Sequence, residues 1–406
     1  MIEVAGGRAP AVSRLPRLAC LGKITVPQPF GNEQLLSALY SRVAEHCERL
    51  DVVALAADSP AGHEEIDGKI HIHAGPSARG LRSHFEYLRY SLERVRYLER
   101  TVQPDLWWVS DPLDSALVGW YARRVSGAPV VVQIQGDMFR MTPLRFNWIK
   151  RRIITLLTLW SVAWADRVRV ISHDMMRQLR DWGVPPEKLS YVTTRADFAL
   201  FDPARHQAAG RALREQWGWQ ESRIALYAGA VQPTKGTDLL VDAFIAVAAD
   251  LPDLRLVLLG DGPDLPALRA RLADAELTDR VLCPGWQPYN SLPAWYAAAD
   301  FNVVPSRDEG LGRGGIQAAA MERPSLMTRV GGNPEVLRDG VTGWLVEPTV
   351  ASLAAGLRQA AGCDRLVDMG RAARRFAKAR YDFEPVVRTM IDEMLYRVVR
   401  ERPRSR

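Results

Sequence analysis

The sequence predicts an α/β protein built as two doubly wound domains that face one another across a cleft. Three observations carry this. Short apolar runs alternate with amphipathic stretches, the rhythm of strand–helix–strand units on a parallel sheet. The rhythm occurs twice, and 406 residues exceed one ordinary domain. Turns rich in Gly and Pro follow the apolar runs in both halves, at the strand ends where open α/β sheets bind ligands. The expected divisions are a disordered start over 1–15, a first domain over 16–197, a second over 198–383, and a closing helix with a basic tail over 384–406.

In chain order, Leu18 to Val26 reads as the first strand, followed by a loop through Pro27, Pro29 and Gly31. The next helix sets Leu35, Leu36, Leu39 and Val43 on one face. Val52–Ala56 and Ile70–His73 read as strands. In the latter, His71 and His73 share a face, with no third ligand near enough to make a metal site. Residues 79–100 read as a helix with a Phe85, Leu88, Leu92, Val95 stripe under a solvated Arg/Glu face. Leu106–Val109 and Val130–Ile134 read as strands, the second running into Gln135-Gly136-Asp137.

Lys150-Arg151-Arg152 then opens an apolar run to Ala165 that is too short to span a membrane. Two readings stand: a buried core helix, or a helix lying on lipid with tryptophans at the interface. Asp166–Ser172 reads as a strand, followed by a helix to Trp182, and Tyr191–Thr193 as a further strand. Thr194 to Arg211 reads as the interdomain linker. In the second half, strands are read at Ile224–Ala228, Leu256–Leu259, Val281–Cys283, Phe301–Val304 and Ser325–Met327. Helices are read near 239–247, Pro293–Ala299, from about Gly315 to Ala320, 351–361, 364–380 and 384–399.

Composition narrows the class. Apolar content of 47% with 25% charged residues fits a globular protein. Cys20, Cys47, Cys283 and Cys363 are scattered without metal-ligand spacing, as expected of reduced thiols in a cytoplasm. No apolar leader is read near Arg8, Arg14 and Arg17. The first 200 residues hold 26 basic and 21 acidic side chains, so +5 of the chain's +6 lies there. That asymmetry points either to an anionic surface or to a solvated basic face with no partner. With neither a zinc spacing nor an RNA-binding signature, no nucleic-acid partner is expected, and a membrane surface is the better candidate.

The chain is organised around Pro305 to Asn333. A buried strand runs into an acid, Glu309, and the Gly-rich turn Gly310-Leu311-Gly312-Arg313-Gly314-Gly315, and a helix starts there. Glycines let backbone approach a ligand closely. Helix N-terminal N–H groups suit an anion. Arg313 adds a fork donor for phosphate. Glu309 suits sugar hydroxyls. Lys235, at a helix start after a strand ending in Gly229, is a phosphate contact without the spacing of a P-loop. A Gly-rich connection that binds nothing stays open as an equal reading of the Glu309 turn taken alone.

Taken together, Gly229 to Gly236, Gly260-Asp261-Gly262-Pro263, Pro305 to Gly312, Gly331-Gly332-Asn333-Pro334-Glu335 and Gly340 to Val346 resemble the nucleotide-sugar domain of retaining glycosyltransferases of family 4. The first half matches more loosely, through the Gly31 loop, Gln135-Gly136-Asp137 and Asp166 to Ser172. The resemblance implies the GT-B fold: two Rossmann-like doubly wound domains facing a cleft, with a C-terminal helix crossing back to the first. It implies catalytic roles for Glu309, Lys235 and Asp137. It implies a donor diphosphate and sugar site at Lys235, Arg313, Gly310, Leu311, Gly312 and Gly31, and a nucleoside site at Gln317, Gly260, Asp261, Cys283 and Trp286. It implies a nucleotide-sugar donor as substrate, no cofactor and no metal, a glycan or lipid-linked acceptor, and a cytoplasmic enzyme peripheral at the inner membrane face.

Three positions depart from the family pattern. Gln317 stands where the E-x7-E motif has its second acid, Ala230 where Arg is usual, and Gln135 where His is usual. Gln317 keeps hydrogen bonding but loses charge assistance. A homologue that binds without turnover and a nucleotide-sugar epimerase of the same shape therefore remain open alternatives.

Overall fold

The computed structural model describes residues 14–26, 33–56, 62–75, 81–139 and 147–401. Most of the disordered start expected over 1–15 lies outside them, as does Gly31.

Two sheets form. The first contains β1 (Arg17–Val26), β2 (Arg49–Ala56), β3 (Gly62–Ile66), β4 (Ile70–Gly75), β5 (Leu106–Val109), β6 (Val130–Ile134), β7 (Arg167–Val170) and β8 (Leu189–Tyr191). Their order is β3-β4-β2-β1-β5-β6-β7-β8, parallel throughout except for the β3–β4 edge pair. The second contains β9 (Arg223–Ala228), β10 (Leu254–Leu259), β11 (Val281–Gly285), β12 (Phe301–Val304), β13 (Ser325–Thr328) and β14 (Gly343–Val346), in the order β11-β10-β9-β12-β13-β14, all parallel. The chain steps outward from the sheet centre and then returns to its other side. The direction of travel therefore reverses between β1 and β5, and between β9 and β12. Loops diverge at these two points, which makes a crevice at the strand C-termini.

Both faces of each sheet are covered, and the pleat explains how. In β1, Leu18 and Cys20 point into one core while Ala19 and Leu21 point into another. In β9, Ala225 and Tyr227 face one core, Ile224 and Leu226 the other. The closing helix, Phe383–Ile391, continues through a π turn at Asp392–Tyr396 to Arg397–Glu401. Its Val387, Met390, Leu395 and Val398 pack on Leu18, Leu50 and Val52 of the first sheet, so the end of the chain completes the core at its beginning.

Three sequence readings are corrected. The stretch read as a linker contains a helix, Pro203–Trp217. Pro203 is its first residue, where the missing N–H costs nothing, Asp202 caps it through Ala204 N at 3.2 Å, and Gly218 ends it at φ 70°. Edge strand β3 was not read, because its residues are exposed and carry little apolar signal. The basic apolar run is a helix, Trp148–Trp164, capped by Asn147 and buried only through Ile154, Thr158, Ser161 and Val162. Trp148, Ile149, Ile153 and Leu156 are at least half exposed, so it is not a plain core helix.

Candidate active site

The loops at the reversal point of the second sheet carry the charged residues that the sequence singles out. After β9, the chain passes Gly229 and makes a short 3-10 turn, Pro233–Lys235, before the helix Thr237–Val247. After β12, it passes Glu309 and enters the helix Arg313–Ala320. The two loops are tied together. Arg307 N donates to Thr234 O at 2.9 Å, and the Arg307 guanidinium grips Asp238 with bonds of 2.6 and 2.7 Å. Burial alone would raise the Asp238 pKa, but the Arg307 bonds overcome it and hold the carboxyl below its usual range.

Gly236, at φ 64°, is required twice over: its φ is left-handed, and a Cβ there would lie 2.1 Å from Pro305 O. Gly331, at φ 48°, does the same for a third loop, since a Cβ would lie 1.7 Å from Glu309 O. Three loops thus converge on Glu309. Its Oε2 accepts from Lys235 Nζ at 2.7 Å and from Ser306 Oγ at 3.0 Å. The structure therefore brings together the acid and the cation that the sequence placed 74 residues apart.

Across the crevice stands the first sheet. Gly310 lies so close to Gln135 that a Cβ would sit 2.8 Å from Gln135 O. Both oxygens of Glu335 accept backbone N–H groups, from His173 and Asp174 at 3.0 Å, so a carboxylate of the second half caps a helix, His173–Asp181, of the first. Between the halves is a cleft of about 350 Å³. Glu309, Leu311 and Arg313 line it from one side; Tyr40, Ser110, Gln133, Gln135, Arg169 and Arg195 line it from the other.

Other sequence candidates lie elsewhere. Asp137 is buried and committed: its carboxylate accepts from Phe139 N at 2.9 Å and from Gln178 Nε2 at 3.2 Å, and it does not line the cleft. Gln135 is the residue of that turn that does. Gly260, Asp261, Cys283 and Trp286 sit at the ends of β10 and β11, outside the cleft lining. There Gly229 N donates to Leu259 O and Gly260 N to Gly285 O, making a tier of backbone beside the Lys235 turn. Asp261 accepts from Gly262 N at 2.7 Å, and burial pushes the Cys283 thiol pKa up. Trp286 is 45% exposed. Gln317 lies one turn beyond Arg313, and its Oε1 accepts from the Tyr296 hydroxyl at 3.2 Å. Gly312, at the start of that helix, offers no side-chain cap to it.

Sequence reasoning missed Arg169, Arg195, Ser306 and the capping role of Glu335. A signal existed for Arg169, since an Arg-Val-Arg-Val strand places two cations on one face of a buried sheet. Arg195 was hidden in the supposed linker.

The two facing Rossmann-like domains, with the last helix returned to the first, are the GT-B arrangement of glycosyltransferases. Solved structures with this arrangement include Anabaena HepE in complex with UDP and glucose, with a TM-score of 0.73 at 18% identity, covering 93% of this chain and 99% of that one. The sucrose-phosphate synthase of Thermosynechococcus elongatus superposes with a TM-score of 0.79 at 20% identity over 95% of this chain and 99% of that one. The chain belongs to the family 4 type of these glycosyltransferases: residues 222–362 match the family described as glycosyl transferases group 1, and residues 31–194 match the glycosyl transferase 4-like domain. Curated relatives include a D-inositol 3-phosphate glycosyltransferase of Thermobispora bispora, 30% identical over 57% of this chain and 56% of that one. An alpha-D-kanosaminyltransferase of Streptomyces kanamyceticus is 28% identical over 58% of this chain and 61% of that one. The chain thus spans little more than half the length of the relatives it matches.

Proposed function

We propose that the chain transfers a hexose-type sugar, with retention and without a metal or cofactor, from a nucleotide-diphosphate sugar to a glycan or lipid-linked acceptor. The observation that carries this reading is the Lys235–Glu309 pair at the reversal point of the second sheet, facing a cleft toward the first. Residues 198–383 bind the donor and residues 16–197 the acceptor. The names of the solved relatives support a UDP-type donor, since HepE carries UDP and glucose.

In this reading the donor diphosphate draws Lys235 away from Glu309, whose carboxylate then accepts the sugar hydroxyls. Lys235, Arg313 and the helix N-terminus Arg313–Ala320 stabilise the charge that builds on the leaving diphosphate. The acceptor hydroxyl attacks on the face the leaving group vacates and passes its proton to the departing phosphate oxygen, so no side-chain nucleophile is needed. The closed halves exclude water from the donor. Gly260, Asp261, Cys283, Trp286 and Gln317 take the nucleoside.

The helix Trp148–Trp164 supports a peripheral position at the inner membrane face. It exposes Trp148, Ile149, Ile153 and Leu156 beside Lys150 and Arg152, and Trp160 lies 6.0 Å from the exposed Trp120. No helix among the described residues is long and apolar enough to cross a membrane. Co-sedimentation with phosphatidylglycerol vesicles checks this, with retention expected for the wild type and loss for Leu156→Glu.

The transfer itself is tested by incubating the protein with UDP-glucose, UDP-galactose and GDP-mannose and following nucleoside diphosphate release and the product's anomeric proton by NMR. Release with the donor's anomeric configuration kept supports the reading, and inversion contradicts retention. Binding without release would favour the reading that Gln317 and Ala230 support, a homologue that holds a donor without turning it over. Free epimerised sugar made without an acceptor would favour an epimerase.

A further inference from the structure

Among the described residues, the wall of the cleft opposite Glu309 carries Arg169 and Arg195 and no carboxylate. Arg169 is buried on β7, and its guanidinium bonds to neutral acceptors: Gln133 Oε1, Val192 O at 2.8 Å and Thr193 O at 2.7 Å. Arg195 follows β8, and its Nε is buried with no hydrogen-bond partner among the described residues. The Phe383 ring lies 5.9 Å from its guanidinium. Among the described residues, no carboxylate lies within ion-pair reach of Arg169, Arg195 or Arg313. Among the described residues, the one acid lining the cleft, Glu309, is already held by Lys235 and Ser306.

Burial, and then the neighbouring Arg195, push the Arg169 pKa down to about 9; burial, and then Arg313, push that of Arg195 down to about 10. A buried cation without a partner is costly in a folded protein unless something pairs with it. Low-dielectric walls of one sign focus the field on whatever enters.

We propose that Arg195, supported by Arg169 and flanked by Tyr40 and Thr194, forms a second anion subsite in the cleft, separate from the donor diphosphate, which binds a phosphate group carried by the acceptor. The inference rests on the transferase reading for the word acceptor. The placement separates the two anions: Arg169 lies on β7 of the first sheet and Arg195 in the loop after β8, whereas Lys235 and the Gly-rich turn belong to loops of the second. A guanidinium fork is the donor shape that fits a phosphate. The cleft, at about 350 Å³, is within the range of small-ligand sites. The phosphate could belong to a small polyol monoester or to a lipid phosphate, which present the same group.

The test is calorimetric titration of the full-length protein, with and without saturating UDP, by glucose 6-phosphate, geranyl phosphate and, as the neutral control, glucose. The wild type is expected to bind one of the two esters, with UDP bound, at least tenfold more tightly than Arg195→Leu does. Arg195→Lys should recover part of the difference, and UDP should bind the Leu variant within about twofold of wild type. Which ester binds names the source of the phosphate. Melting curves guard against a folding artefact: removal of a partly buried charge with no carboxylate partner among the described residues should leave the Leu variant melting no lower than wild type. Binding of UDP with no ester binding, or with ester binding that Arg195→Leu leaves unchanged, overturns the subsite and spares the transferase reading. Ester binding that depends on Arg195, in a protein that binds no nucleotide, strikes the transferase reading instead.

Discussion

The two walls of the cleft treat charge differently. Around the Glu309 loop of the second sheet the cations are paired, Lys235 with Glu309 at 2.7 Å and Arg307 with Asp238 at 2.6 Å, while Arg313 beyond it meets no carboxylate among the described residues. On the first wall, Arg169 meets carbonyls and a carboxamide, and Arg195, in the loop after β8, meets the Phe383 ring and no carboxylate among the described residues. Pairing on one wall fixes loops into a preorganised cradle, in which one pair, Lys235–Glu309, can be exchanged for ligand contacts. The absence of pairing on the other wall leaves binding free energy in reserve for an anion. In the proposed reading, the donor loops and the acceptor wall differ in how their charges are satisfied before any ligand arrives.

The comparison can be broken at its strongest point first. Lys235→Ala is expected to lower turnover by about 10²–10³-fold, the usual loss when one preorganised charge-stabilising donor is removed; steady-state kinetics with the active sugar nucleotide measure it. Met390→Ala, in the helix that closes the first sheet's core, is expected to cost about 2–5 kcal/mol of stability by urea unfolding, while nucleotide affinity at the second sheet stays within about twofold.

Arg307→Ala removes the loop tie and is expected to cost about 1.5–3 kcal/mol, toward the low end because the pair is partly exposed. The same tie predicts a pH dependence. The folded pKa of Asp238 is below its ordinary value, so the unfolded state takes up the proton first. The tie's contribution is complete above the ordinary carboxyl range near 3.8 and is lost as pH falls through the lowered folded value. Denaturant midpoints between pH 3 and 6 should fall less steeply in Asp238→Asn than in wild type. The smallest effect sharpens the other wall: without ligand, Arg195→Leu should melt at or slightly above the wild-type temperature, about 2–4 °C for each kcal/mol of relieved burial cost.

Much of the second sheet was legible because backbone demands leave fixed residues. Gly236 and Gly331 must be Gly for the loops to touch, and apolar runs such as Phe301–Val304 are buried on both faces. Lys235 and Glu309 were legible one by one, each followed in the sequence by a glycine, but their pairing was not. The first wall was not. Arg195 carries no local pattern, and its importance arises only when β7, β8 and the second domain bring Arg169 and Arg313 near it. Asp137 misled for the converse reason: an acid after a strand looks available until Phe139 N and Gln178 are seen to occupy it. Pro203 looked like a linker residue because a proline that starts a helix and one that prevents it are the same letter.

The central claim, that the paired loops of the second sheet are a nucleotide-sugar site, is tested most directly by thermal shift of the wild type and Lys235→Ala with UDP, GDP, ADP and their sugar conjugates. A ligand that binds only the folded state raises the melting temperature. The account predicts a clear rise with one nucleotide family in the wild type and its loss in Lys235→Ala. No rise with any of them, or a rise that Lys235→Ala keeps in full, would contradict it.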